Sequence, residues 1–158
     1  MSEPERIATI PVTPELPDAI ISEHDAAACA RSTVPLLEQG RVSEAAILME
    51  LLLSTDPDNA TMLSNLGMVY SDGGYLERAI AVLRRALEIN PNYDDGFVAL
   101  GVAYTRSDDL TNARKSLEHA IELNPENPWA YRNLGVVYLR QEMSDEAVTV
   151  LTKATKLS

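Results

Sequence analysis

Cys29, His24, His119 and two pairs of adjacent acids, Asp94–Asp95 and Asp108–Asp109, are the side chains here with the reactivity for nucleophilic, metal-ion or acid–base work. A thiol nucleophile needs a base within hydrogen-bond reach, and a structural zinc site needs four Cys, His or carboxylate donors. The single cysteine and the two histidines have no such partners at ligand spacing. A calcium loop alternates oxygen donors and closes on a bidentate glutamate, and neither acid pair opens such a series, so N-capping explains these acids better. The sequence also lacks the P-loop, the G-x-G-x-x-G fingerprint and the G-x-S-x-G elbow. No catalytic residue, no metal and no cofactor is expected, and the chain reads as a non-enzyme.

What would position any functional side chain is a repeat. Pro57, Pro91 and Pro125 are spaced by 34, as are Gly67, Gly101 and Gly135, and Tyr70, Tyr104 and Tyr138. Leu66, Leu100 and Leu134 keep the same step, as do Leu83, Leu117 and Leu151, and Ala86, Ala120 and Ala154. Ala45, Ala79, Ala113 and Ala147 carry it across four units. So many columns in one register mark a solenoid of short helical hairpins. Helix A of each unit holds L-G-x-x-Y, where the glycine lets a second helix approach closely. Helix B holds A-x-x-x-L-x-x-A, a 4-then-3 spacing along one helical face. The prolines cannot continue helix B and so mark its end. Asn127 before Pro128 reads as an N-cap and N1 pair opening a helix A.

These motifs resemble the tetratricopeptide repeat family, strongly over residues 60–158 and weakly over 26–59. The expected fold is all-α, a right-handed α-solenoid of four helix–turn–helix units at 26–59, 60–93, 94–127 and 128–158, within a domain spanning 18–158. Residues 1–17, with four prolines, read as a flexible tail. Unit 26–59 is degenerate: Thr33 and Leu36 replace the glycine and tyrosine, and Pro35 falls inside helix A. A kink or break near Ser32–Val34 is expected there, with an earlier helix from about Asp18. The inter-helix turn holds Gly40, Gly74, Asp108 and Glu142 in one column. Glutamate suits a left-handed backbone poorly, so the last turn is expected to differ. Cys29 shares a column with Leu63, Phe97 and Tyr131 and reads as a small core hydrophobe. His119 shares one with Arg85 and Lys153 and reads as a solvated surface residue.

The resemblance implies that helix A lines a concave, ligand-binding face. The implied groove set is Asn65, Met68, Val98, Val102, Arg106, Trp129, Arg132, Asn133, Val136, Leu139 and Arg140. Thr61, Ser64, Ser71, Asp72, Asp95, Ala99 and Thr105 share these columns, and the degenerate unit adds Ala27, Ala30, Arg31, Val34 and Leu37. Met68, Val98, Val102, Trp129, Val136 and Leu139 would form an apolar patch, as partner sites do. Asn65 and Asn133 can each donate to and accept from a peptide backbone, similar to the asparagine ladder of superhelical tetratricopeptide regions, which Ala99 interrupts here. Arg106, Arg132 and Arg140 would add positive charge and favour an acidic and apolar segment. The carboxylate clamp of chaperone-tail-binding repeats is not matched: units one to three offer Ala30, Val34, Asn65, Asp95 and Ala99, and units two to four offer Ser64, Met68, Ala99, Trp129 and Asn133.

Composition bounds the partners. A formal charge of −11 repels nucleic acid and anionic lipid, and no dense basic cluster overrides it. No run of about 18 apolar residues exists, so no membrane insertion is expected, and the N-terminus lacks a secretory h-region. One cysteine permits no internal disulfide, which fits a cytoplasmic setting. The expected function is a protein–protein interaction scaffold; the alternative is a regulatory or targeting domain of a longer protein whose catalytic part lies elsewhere. A homodimer through the C-terminal repeat is a further expectation, because helix B of the last unit has no successor to cover it.

Overall fold

The computed structural model describes residues 33–158, and the readings made for Cys29, His24, Ala27, Ala30, Arg31, the tail 1–17 and a helix from Asp18 lie outside them. Residues 33–38 are helical, so the backbone runs unbroken through Val34 and Pro35; Ser32 lies outside the described residues. Seven helices follow: α1 (Val42–Thr55), α2 (Ala60–Asp72), α3 (Leu76–Ile89), α4 (Asp94–Arg106), α5 (Leu110–Leu123), α6 (Pro128–Arg140) and α7 (Ser144–Leu157). No strand occurs among the described residues. Starts of α2, α4 and α6 fall 34 residues apart, and so do those of α1, α3, α5 and α7.

Each helix packs on the one before it, which gives an all-α solenoid. Helices α2, α4 and α6 also touch their nearest counterparts, whereas α3, α5 and α7 make no comparable contacts with one another. One row is therefore drawn together and the other splayed, which curves the stack and puts α2, α4 and α6 on its inner side.

The glycine and leucine columns explain the close hairpins. A Cβ on Gly101 would stand 2.6 Å from Leu117 Cγ, and one on Gly135 would stand 2.5 Å from Leu151 Cγ. Leu83, against Gly67, and Leu117, against Gly101, are fully buried in the space the glycines leave, together with Ala79, Ala86, Ala113 and Ala120. Burying such a leucine is worth about 1.5–3 kcal/mol, more than the roughly 1 kcal/mol that glycine costs a helix interior.

The tyrosine column ties each helix A to the preceding helix B. Tyr70 Oη donates to Glu50, Tyr104 Oη accepts from Arg84 Nη2 at 2.6 Å, and Tyr138 Oη lies 3.5 Å from Glu118 Oε1. Glu50, Arg84 and Glu118 are themselves 34 apart, so partner chemistry alternates while geometry repeats. Burial, followed by the Glu50 carboxylate, pushes the Tyr70 hydroxyl up to about 12.

The turns correct one expectation. Gly40, Gly74, Asp108 and Glu142 all have positive φ, at 71°, 80°, 65° and 61°. In each case the next amide donates back into the preceding helix, as Tyr75 N does to Tyr70 O at 2.9 Å and Met143 N to Tyr138 O at 2.9 Å. This is a Schellman-type stop, and Glu142 adopts it like the others. The packing of the hairpin over-determines the turn, so the glutamate accepts a backbone it would not choose alone.

Candidate functional site

Two concavities lie along the inner row of helices. The first, about 550 Å³, is lined by Thr33, Val34, Leu37, Met49, Leu52, Asn59, Thr61, Met62, Asn65, Met68, Val69 and Asp72. The second, about 450 Å³, is lined by Ser64, Asn65, Met68, Ser71, Asp72, Tyr93, Asp95, Val98, Ala99, Val102, Arg106, Trp129 and Asn133. Asn65, Met68 and Asp72 border both, so the two are neighbouring compartments of one face.

Seven residues of the expected groove set come together in the second concavity: Asn65, Met68, Val98, Val102, Arg106, Trp129 and Asn133. Helix α2 supplies the first two, α4 the next three and α6 the last two. Met68 and Trp129 are 52% and 58% exposed, far above what a core position would show. Val98 is buried, as are Ser64, Ser71 and Ala99, because their columns also face the adjacent helix. Val102 is half-buried. Val136 and Leu139 are exposed but line neither concavity, and Arg132 and Arg140 line neither as well. Three of the chain's five methionines, Met49, Met62 and Met68, line the first concavity together, a grouping that the repeat does not announce. They come from three columns on two helices, so no single periodic signal joins them.

Two of the three arginines expected to make the distal groove positive are held in ion pairs. Arg106 Nη1 lies 2.7 Å from Asp72 Oδ1 and donates to Ser71 Oγ at 3.1 Å. Arg140 Nη2 lies 2.7 Å from Asp108 Oδ1, and its Nη1 donates to the Thr105 carbonyl. Both arginines thus tie one unit to the preceding one. Arg132 forms no ion pair among the described residues; its guanidinium sits 5.6 Å from the Trp129 ring centroid. The Asn133 side-chain amide donates to the Trp129 carbonyl at 2.8 Å, which leaves its oxygen for a ligand donor.

A polar clasp fixes the mouth of the second concavity. Buried Asn127 caps α6 by accepting from Trp129 N at 3.0 Å, and its Nδ2 donates to Asp94 Oδ2 at 2.9 Å and Asp95 Oδ1 at 3.0 Å. Asn124 Nδ2 adds a bond to Asp94 Oδ2 at 2.8 Å. Partial burial pulls the Asp94 carboxyl up, but the donors Asn127 and Asn124 outweigh it and hold the group below its ordinary range. These acids therefore join two units, whereas Asp109 does cap a helix, accepting from Asn112 N at 3.1 Å. His119 is exposed but not merely solvated: it meets the Phe97 ring edge-on at 4.5 Å and Glu122 Oε2 at 3.0 Å.

Comparison with known proteins decides the family. A TPR repeat model matches residues 67–108 and 103–142, and a tetratricopeptide repeat model matches 130–158. This chain belongs to the tetratricopeptide repeat family. As a tetratricopeptide repeat protein it is built as a scaffold for protein–protein contacts. Among solved structures it is similar to MamA AMB-1, with 26% identity, 79% of this chain and 74% of that one covered, and a TM-score of 0.66. It is also similar to MamA MSR-1, with 25% identity, coverage of 79% and 72%, and a TM-score of 0.65. MamA 41-end from Desulfovibrio magneticus RS-1, at 21% identity, coverage of 82% and 73% and a TM-score of 0.71, shares the fold. No curated protein matches the sequence significantly. No described helix is long and apolar enough to cross a membrane.

Proposed function

We propose that this tetratricopeptide repeat chain is a non-catalytic scaffold whose concave face binds an extended or helical segment of a protein partner. The observation that carries the reading is the exposure of Met68 and Trp129 inside one concavity, where Val98, Ala99 and Val102 form an apolar floor. Exposed contiguous apolar surface in a recess is what partner segments cover. Asn65 and Asn133 border the same recess and supply hydrogen bonds to a peptide backbone independent of its sequence. The MamA structures lend the fold and nothing about the ligand.

The test is a double variant, Met68→Glu with Trp129→Glu, used as bait beside the wild type. Both side chains are more than half exposed, so the fold should survive, with helical circular dichroism unchanged. Partners recovered by the wild-type chain are expected to be lost at least tenfold. Equal recovery by the two baits would contradict the proposal.

A further inference from the structure

The charged residues lining the two concavities are Asp72, Asp95 and Arg106. Arg106 is held at 2.7 Å by Asp72, which cancels both charges locally. Asp95 is exposed, and its Oδ1 receives only the neutral Asn127 amide at 3.0 Å, so its negative charge is uncompensated. Tyr93 and Trp129 present aromatic surface in the same recess. Of the other arginines near this face, Arg140 is paired with Asp108, and Arg132 stands 5.6 Å from the Trp129 ring centroid, itself outside the lining. The whole chain carries −11, so the long-range field has the same sign as the local one.

We infer that the partner segment is basic and apolar, with a Lys or Arg side chain seated against Asp95 between aromatic surfaces and an apolar anchor beside Met68 and Val102. A cation there gains the Asp95 carboxylate, with the aromatic side chains of Tyr93 and Trp129 in the same recess. An acidic segment would meet an unpaired carboxylate in a recess and the repulsion of the whole chain. The inference rests on the groove reading given above and names the chemistry of its ligand.

The experiment uses the full chain and two synthetic helical peptides with the same leucine spacing, one carrying lysines and the other glutamates. Trp129 is the only tryptophan, so its emission reports occupancy directly. At low salt the lysine peptide should bind at least tenfold more tightly, and the ratio should shrink as salt rises and the screening length falls below about 8 Å. Asp95→Asn should bring the ratio close to one, and Asp95→Lys should invert it. A wild-type preference for the glutamate peptide, or an unchanged ratio in Asp95→Lys, overturns the inference and leaves the groove reading standing. Failure of both peptides to perturb Trp129 overturns both. Emission that changes with protein concentration alone would name a second copy as the occupant and overturn the inference too.

Discussion

The middle hairpin, α4–α5, and the last, α6–α7, share nearly every signature residue, yet they are buried differently. Leu117 is completely buried, whereas its counterpart Leu151 is partly exposed. Helix α5 buries Ala113, Ser116, Leu117 and Ala120; α7 buries only Ala147 and Ala154, and leaves Val148 64% exposed. The same side chain at the same column is therefore worth different amounts, because part of the packing of helix B comes from the neighbouring unit. The pattern encodes an interface, and the energy appears where a neighbour completes it.

The largest effect should come from the leucine column. Leu117→Ala is expected to destabilise by about 3–4 kcal/mol and Leu151→Ala by about 1–2 kcal/mol, measured by urea unfolding, because only the first leaves an enclosed cavity. Equal losses would mean that the two hairpins are completed to the same extent. Next are the glycines. Gly101→Ala forces its Cβ against an immobile Leu117 and should cost about 2–3 kcal/mol. Gly135→Ala meets a leucine with room to turn outward and should cost roughly half as much.

Much of this was legible in the sequence. Proline, glycine and alanine columns located the hairpins, and Asn127–Pro128 announced the start of α6. Seven of the residues that the family resemblance implies for the groove share one recess, because a 34-residue step carries their columns to one side. What failed was everything set by partners across units. The sequence shows that Arg106 and Arg140 sit in one column; it does not show that Asp72 and Asp108 neutralise them, since those pairs are made between units, 34 and 32 residues apart. Ser64, Val98 and Ala99 line the second concavity as their columns imply, but they are buried in its floor, because column position fixes direction and not what stands in front. The Glu142 turn was misread for a related reason: local preference argued against a left-handed residue, and hairpin packing overrode it.

That override gives a smaller prediction. Glu142→Gly should stabilise the last hairpin by about 1 kcal/mol, by releasing strain at φ 61°. Asp108→Gly should gain less, because it also removes the Arg140 partner. Thermal denaturation of both variants checks the order, and a loss of stability in Glu142→Gly would show that the turn is not strained. A further effect appears only in alkali. Tyr70 has its ionisation raised from 10.0 to about 12 in the fold, so its contribution is complete below pH 10 and is lost as pH rises through about 12. Tyr70→Phe should flatten stability against pH across that window, and an unchanged slope would mean that Tyr70 is not what titrates there.

The central claim is that the inner row of helices holds the partner. Hydrogen-exchange footprinting of the chain with and without a bound segment tests it most directly. New protection is expected in α2, α4 and the first half of α6, around Asn65, Met68, Val102 and Trp129, with α3 and α5 unchanged on their outer faces. Protection confined to α3, α5 or α7 would place the partner on the other side of the solenoid and contradict the account.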